Sequence, residues 1–204
     1  MKNLFLAAAL ILSSISYAQN DHNGYVAISF GGSSPIGGFE SKDMEDEDAR
    51  FASDGISASI DGAYLLNDNF GLTAKLFSKG WAIDIDDMNS DGIYFSSGIL
   101  IGGIATIPAG FVNFDFKLQV GYANSKMQDL TFPDTDGDLV MPVAKGRDMA
   151  YALGLGLRVH LGKRIDTMMN FDYFNTKPTL KSDLQSLDYD IAATNFTIGI
   201  GYRI

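Results

Sequence analysis

Apolar and polar residues alternate strictly over the last part of the chain, residues 194–204. Successive side chains of a β-strand point to opposite faces, so this segment predicts a strand with one apolar face and one face of small or polar residues. The apolar face contains Phe196, Ile198, Ile200, Tyr202 and Ile204. In a soluble sandwich that face would pack against the core, whereas in an outer-membrane barrel it would contact lipid.

The same alternation recurs upstream and predicts about eight strands, each of the length that a membrane-spanning strand requires. The predicted strands are 24–32, 55–66, 70–84, 93–107, 111–124, 148–162, 165–176 and 192–204. No segment shows the apolar period of an amphipathic helix, so we predict an all-β protein. The register of the fourth strand is open. Ile99-Leu100-Ile101 is apolar on both faces, and Gly102-Gly103 is a candidate β-bulge.

The connections between the strands alternate between tight turns and long polar segments. The tight turns lie at residues 67–69, 108–110 and 162–164, and the long segments are 33–54, 84–92, 125–147 and 177–190. The tight turns contain residues that favour such turns. In an up-and-down antiparallel barrel, all tight turns lie at one end and all long loops at the other, as in outer-membrane barrels. Both chain termini would then lie at the tight-turn end.

The polar face of the strands favours a barrel interior over a solvent-exposed sheet surface. It carries small residues: Gly121, Gly154, Gly156, Gly199 and Gly201. An exposed strand face would favour larger β-formers, whereas a narrow lumen needs small side chains. The same face carries charges of both signs, which burial demands. The predicted polar network of the lumen consists of Asp61, Lys75, Asp115, Lys117, Arg158, Asp172 and Arg203.

Aromatic residues lie near the strand ends on the apolar face, as in the aromatic girdles of outer-membrane barrels. They are Tyr64, Phe70, Tyr122, Tyr151, Tyr173 and Tyr202. Turning the strands over would place Lys117 or Arg158 in lipid, at a cost of about 2–4 kcal/mol each near the midplane. We therefore predict an antiparallel up-and-down transmembrane β-barrel of about eight strands. Side chains can fill an interior of that width, so we expect a closed, salt-bridged lumen with weak conductance at most.

The first residues have the pattern of an export signal. Lys2 supplies a positive charge, residues 4–12 form a short apolar region, and Ser16-Tyr17-Ala18 places small residues where a signal peptidase cleaves. We predict a signal peptide over residues 1–18, exported through the Sec pathway, and one barrel domain over residues 19–204. The chain contains no cysteine, which excludes disulfides and thiolate metal sites. Its formal net charge of −10 argues against a nucleic-acid partner.

The predicted mature chain resembles the small eight-stranded outer-membrane barrels of the OmpA/OmpX kind, the outer membrane protein beta-barrel domain of Gram-negative bacteria. Its C-terminal segment is similar to the signal that the barrel-assembly machinery reads, with Gly199, Tyr202 and Ile204 at the matching positions. The family usually ends in Phe, and this chain has Ile204 there. The resemblance implies an outer-membrane location with periplasmic termini, outer-membrane lipid and lipopolysaccharide as partners, and the assembly machinery as a partner during biogenesis.

Acidic clusters in the long segments are candidates for cation binding. Residues 40–48 are expected to form a solvated surface loop. Residues 87–92 match the first half of a calcium loop, but Gly98 stands where that loop requires an acidic residue, so no EF-hand is predicted. A looser calcium site is an alternative, and its ligands would be Asp84, Asp86, Asp87 and Asp91. Residues 134–138 carry the same weak pattern. We otherwise expect no cofactor.

Neither histidine is placed as a catalytic base. His160 is predicted near the tight-turn end and His22 in the N-terminal segment, whereas an enzymatic barrel needs a nucleophile, a base and an orienting acid at its outer rim. We therefore predict a non-enzymatic protein with a structural or surface-interaction role and acidic extracellular loops. A narrow porin-like channel or small-molecule conduit is the alternative, and an outer-membrane enzyme is the third possibility. The sequence predicts no particular protein partner or solute.

Overall fold

The computed structural model of the protein describes residues 23–43, 49–84, 92–127, 130–132, 139–141, 144–181 and 186–204. Eight long antiparallel strands form its main sheet. They are β1 (Gly24–Pro35), β2 (Ala52–Leu65), β3 (Phe70–Ile83), β4 (Ile93–Ala109), β5 (Val112–Met127), β6 (Ala144–His160), β7 (Ile165–Thr176) and β8 (Ile191–Arg203). Neighbouring strands pair in chain order, and β1 also pairs with β8, which closes the sheet into a barrel. The predicted fold is confirmed.

Short elements belong to the longer connections. The 3-10 turn Gly37–Phe39 follows β1. Leu130–Phe132 pairs with Leu139–Met141 in a separate two-stranded sheet. Thr179–Lys181 pairs with Ser186–Asp188 and also with β6, where Lys181 lies opposite Lys145. Within the described residues, no helix is long and apolar enough to span a membrane.

Three tight turns lie at one end of the barrel, which we call the turn end, and the long connections lie at the other, the loop end. In the first turn, the side-chain oxygen of Asn67 accepts hydrogen bonds from the backbone N–H groups of Asn69 (3.0 Å) and Phe70 (2.8 Å), which fixes the reversal. In the second turn, Gly110 adopts a φ of +70°, which glycine reaches without steric cost. Gly24 and Ile204 exchange two backbone hydrogen bonds at the turn end.

The alternation of faces agrees with the sequence pattern. In β8, Phe196 and Ile198 are 53% and 51% exposed on the exterior, whereas Asn195 and Thr197 are buried in the interior. The exterior of the barrel is therefore apolar, and its interior holds the small, polar and charged side chains. This is the reverse of a soluble globular domain.

The fourth strand is regular, so the bulge expected at Gly102-Gly103 is wrong. The pairing of β4 with β3 and with β5 continues without a register shift, and Leu100 points inward. Gly102 has another role. A Cβ atom there would collide with the backbone oxygen of Leu118, so glycine permits the close approach of β4 and β5. A register shift does occur where β2 pairs with β3, between Ala52 and Gly55.

Candidate functional site in the barrel interior

Charged side chains occupy the interior in the turn half of the barrel and its middle. We call them the ionic cluster: Asp61, Lys75, Asp115, Lys117, Arg158, Asp166, Asp172 and Arg203. Except for Arg203, each is no more than 5% exposed. They project inward because they occupy the inward positions of alternating strands. All seven residues of the network proposed from the sequence lie in this cluster, together with Asp166.

The pair Arg158–Asp115 is the best-defined contact of the ionic cluster. Nε of Arg158 donates to Oδ2 of Asp115 at 2.6 Å, and Nη2 donates to Oδ1 at 3.0 Å. This two-pronged geometry is the strongest form of a charged hydrogen bond between side chains. Oγ1 of Thr106 donates to the same carboxylate at 2.7 Å, and the guanidinium lies 4.5 Å from the ring centre of Tyr25. Contacts with Thr106 and Tyr25 therefore add to the attraction between the two charges.

Lys75 joins two carboxylates in the middle of the barrel. Its Nζ lies 2.5 Å from Oδ2 of Asp172 and 3.5 Å from Oδ1 of Asp61. Oγ of Ser59 donates to the other oxygen of Asp61 at 2.6 Å. A Cβ atom at Gly154 would collide with Oδ1 of Asp172, so this interior glycine provides the space for the carboxylate.

Lys117 also lies in the middle of the barrel, and its hydrogen-bond partner is an uncharged side chain. Its Nζ donates to Oδ1 of Asn170 at 3.1 Å. The chain thus supplies an amide acceptor where it does not supply a carboxylate.

Asp166 organises the turn end, and the sequence reasoning missed it. Its Oδ1 lies 2.8 Å from Nδ1 of His160 and 3.0 Å from Nε of Arg203. Its Oδ2 lies 4.0 Å from Nη1 of Arg158. The sequence of β7 did indicate its position, because the two-residue alternation places Asp166 on the same inward face as Asp172. His160 is therefore packed against a carboxylate at the turn end of the barrel.

Aromatic side chains fill the interior of the loop half, and we call them the aromatic cluster. Its members are Phe39, Phe77, Trp81, Tyr94, Phe174 and Tyr189. The polar network predicted for the lumen consists of charged residues alone, so these inward aromatic side chains were not part of it. The two-residue alternation indicates their inward position, because Lys75, Phe77 and Trp81 share one face of β3.

The aromatic cluster is ordered by ring contacts and by one hydrogen bond. Phe39, from the connection after β1, packs with its ring centre 5.2 Å from those of Trp81 and Tyr94. Phe77 and Phe174 are 5.0 Å apart. Edge-to-face pairs of this kind are favourable beyond their buried area. Nε1 of Trp81 donates to Oγ of Ser33 at 2.9 Å, so the indole is also satisfied.

Lys79 lies where the two clusters meet. It is 5% exposed, and its Nζ lies 3.9 Å from the ring centre of Phe174 and 5.5 Å from that of Phe77. Among the residues that the structure describes, no carboxylate lies within ion-pair distance of Lys79. An aromatic face attracts a cation electrostatically. Lys79 was not among the predicted lumen residues, although it shares the inward period of Lys75.

The candidate cation-binding positions lie mostly outside the described residues. This applies to Asp86, Asp87 and Asp91, to residues 44–48 and to residues 134–138. Asp84 is described, and its carboxylate lies 2.5 Å from Nζ of Lys42. The described part of the chain contains no cluster of three or more His, Asp or Glu side chains that could hold a metal ion. A calcium site therefore stays a hypothesis about the remaining loop residues.

The residues of the predicted assembly signal lie at the closing edge of the barrel. Tyr202 is 43% exposed on the exterior, and its hydroxyl accepts a hydrogen bond from Nη1 of Arg164 at 2.7 Å. Gly199 faces the interior against Ser29 of β1. Ile204 bonds to Gly24 through its backbone. These contacts describe the folded state, and recognition during assembly stays a prediction.

Comparisons with known proteins identify the family. The family model described as "Outer membrane protein beta-barrel domain" matches residues 4–203. Neisserial surface protein A is a similar solved structure, with a TM-score of 0.53 at 11% identity over 89% of this chain and 97% of that chain. The outer membrane protein OprG from Pseudomonas aeruginosa has a TM-score of 0.51 at 15% identity, over 89% of this chain and 96% of that chain. Identities this low show a shared fold alone. No curated protein sequence matches the chain. The chain therefore belongs to the outer membrane protein beta-barrel domain family, and it is a β-barrel protein of the outer membrane.

Proposed function

We propose that this protein is a non-enzymatic structural or surface-interaction protein of the outer membrane with a closed lumen. The observation that carries the proposal is that two kinds of side chain fill the interior in series. Ion pairs occupy the turn half and the middle, and aromatic rings occupy the loop half. Between them, a cavity of about 10 Å³ is lined by Lys75, Phe77, Lys79 and Phe174. That volume holds about one water molecule, which is too little for a conducting path.

A conductance measurement tests the closed lumen. Purified protein refolded into a planar bilayer of neutral phospholipid is expected to give no stable single-channel currents. The matched variant is Trp81→Ala, which removes the largest ring of the aromatic cluster. If the rings close the path, this variant should show more frequent brief openings than the wild-type protein. Large, stable currents from the wild-type protein would contradict the proposal.

A narrow channel is the second candidate, and one observation favours it. Several buried polar atoms of the interior have no hydrogen-bond partner among the described residues, for example Oη of Tyr25, Oδ1 of Asp61 and Nδ2 of Asn170. Buried groups of this kind ordinarily bind internal water. An interior that holds connected water would let small ions or solutes pass. Solute uptake into liposomes that contain the barrel distinguishes this candidate from a closed one.

We further propose that the termini face the periplasm and that the acidic loops face the outside, with residues 1–18 removed on export. The turn end carries short connections and both described chain ends, which is the periplasmic arrangement in bacterial barrels. Membrane lipid and lipopolysaccharide would surround the barrel, and the assembly machinery would act during insertion. A cysteine introduced at Asp54, at the loop end, should react with an impermeant maleimide on intact cells. A cysteine introduced at Lys163, in a tight turn, should not react.

No catalytic role is part of the proposal. His160 lies at the turn end and is held by Asp166, away from the outer rim where a substrate from outside would arrive. Lipid A and peptide substrates should stay unchanged on incubation with the refolded protein. Turnover that His160→Ala abolishes would contradict this part of the proposal.

A further inference from the structure

Four basic side chains form a patch on the barrel exterior at the loop end, which we call the basic patch. Its members are Lys126, Lys145, Arg147 and Lys181, and all four are exposed. Lys126 of β5 lies directly opposite Lys145 of β6, and Lys145 lies directly opposite Lys181. Opposed residues on neighbouring strands have Cβ atoms about 4.5–5.5 Å apart. Three lysines therefore stand side by side across three chain segments.

Among the residues that the structure describes, no carboxylate lies within ion-pair distance of the basic patch. None of its four members forms a salt bridge with a described residue, whereas the neighbouring Lys177 pairs with Asp190 at 2.7 Å. The nearest acidic residue in sequence is Asp148, whose Oδ1 accepts a hydrogen bond from the backbone N–H of Met149 at 2.6 Å. Like charges that face each other across strands destabilise a sheet. An anion bound at the patch would remove this repulsion, in a chain whose formal net charge is −10.

The height of the basic patch matches the headgroup layer of the membrane. The apolar exterior of β5 runs from Val112 to Tyr122, which is about 33 Å along the strand and roughly 25 Å along the membrane normal at the usual tilt. Tyr122 therefore marks the upper edge of the apolar band. Arg147 lies one step above this edge, with its guanidinium 5.1 Å from the ring centre of Tyr122. The lysines follow about 5 Å higher, and their long side chains can reach down to phosphate groups.

The basic patch is confined to one side of the barrel and is concave. In the same register row, Lys126 lies opposite Phe95, and Phe95 lies opposite Gly80, so β4 and β3 carry no cation at this level. On the other side of Lys126 lies a depression of about 660 Å³, lined by Lys145, Gly146, Arg147, Asp148, Thr179 and Lys181. Its lining therefore holds three basic side chains and one carboxylate, that of Asp148. A confined, concave patch favours one bound headgroup over general attraction to a charged surface.

We propose that the basic patch binds the phosphorylated headgroup of an anionic glycolipid in the outer leaflet. Charged hydrogen bonds from lysine and arginine suit phosphate oxygens, and the acyl chains of the lipid would lie on the apolar exterior of β5 and β6. The inference rests on the proposed orientation, with the loop end outside.

The test uses the refolded full-length chain in vesicles of phosphatidylcholine with 10 mol% bisphosphorylated lipid A, and measures lipid A retained per barrel after detergent extraction. The rim variant is Lys145→Gln/Arg147→Gln. Its matched control is Lys163→Gln/Arg164→Gln, which removes the same two residue types at the turn end. Each basic residue near an anionic membrane surface contributes to the free energy of binding, and two are lost in the rim variant. The rim variant should therefore bind lipid A about 20- to 30-fold more weakly than the wild-type protein. The affinity of the control variant for lipid A should stay within about twofold of that of the wild-type protein.

Two further arms identify the source of the phosphate. Dephosphorylated lipid A should bind as weakly to the wild-type protein as lipid A binds to the rim variant. Equal retention by the rim variant and the turn-end control would overturn the proposal. Equally tight binding of inorganic phosphate or of a soluble sulfated polysaccharide would also overturn it, because the site would then take free polyanions. The vesicle assay does not depend on cellular orientation, so maleimide labelling on cells reports failure of the proposed orientation separately.

Discussion

The two halves of the barrel interior are filled by different chemistry, although the same strands line both. In the turn half, Arg158 and Asp115 form a buried, two-pronged ion pair. In the loop half, Phe39 and Trp81 meet edge to face at 5.2 Å. A buried ion pair is stable only while both partners are present, because removing one leaves an unpaired buried charge that strongly destabilises the fold. A ring cluster depends on volume, since a missing ring leaves a cavity. The two halves should therefore respond differently to the same kind of truncation.

The largest expected effect is the removal of one partner of the buried ion pair. Asp115→Ala should lower the free energy of unfolding by about 3–5 kcal/mol, because Arg158 stays buried without its main partner. The double variant Asp115→Leu/Arg158→Met should recover most of that loss, because apolar side chains of similar volume replace both charges. Urea titration of the refolded barrel in vesicles measures both. A double variant no more stable than Asp115→Ala would show that the turn half depends on the charges themselves.

Phe39→Ala should lower the free energy of unfolding by about 3 kcal/mol, at the low end for a buried ring. The reason is that Phe39 comes from a connection that can move to reduce the cavity. The matched variant Phe39→Leu keeps most of the volume and should cost less than about 1.5 kcal/mol. The same titration measures both variants. Equal losses for the two would mean that ring geometry, and not volume, stabilises the loop half.

Gly154→Ala tests how tightly the ionic cluster is packed. The added methyl group would displace the carboxylate of Asp172 from Lys75, at an expected cost of about 1–3 kcal/mol. Gly103→Ala is the control, because it lies in the same barrel and a Cβ there meets only the backbone oxygen of Gly71, at 4.0 Å. The control should change stability by less than about 0.5 kcal/mol. A neutral Gly154→Ala would show that the interior carboxylates can rearrange freely.

The smallest expected effect is at an ion pair that is not buried. Lys42 and Asp84 pair at 2.5 Å, but their side chains are 41% and 51% exposed. Water and salt screen such a pair, so Lys42→Ala should change the free energy of unfolding by less than about 1 kcal/mol. Urea titrations at low and at high salt should give nearly the same small loss of free energy of unfolding for Lys42→Ala. A loss as large as that of Asp115→Ala would contradict burial as the cause of the contrast between the pairs.

Much of the fold was readable from the alternation of residues, and the errors have physical causes. The eight strands and the inward positions of Lys75 and Asp172 follow from a period of two, and the tight turns follow from their turn-forming residues. The bulge expected at Gly102-Gly103 was wrong because a glycine also marks close strand approach. Asp166 and Lys79 share that period, but neither was among the predicted lumen residues. Phe39 could not be placed at all, since no periodicity governs a connection.

By itself, the sequence determined which face of each strand is inward, since neighbouring side chains on a strand must point to opposite sides. That single constraint defines an apolar exterior and an interior with charges. Only the tertiary structure decided which interior groups meet. Asp115 reaches Arg158, 43 residues later, and Trp81 packs on Phe39 because closing the sheet brings distant strands to the same height. It also decided that Lys126, Lys145 and Lys181 form one row, since cross-strand register, and not position along the chain, sets which side chains are neighbours.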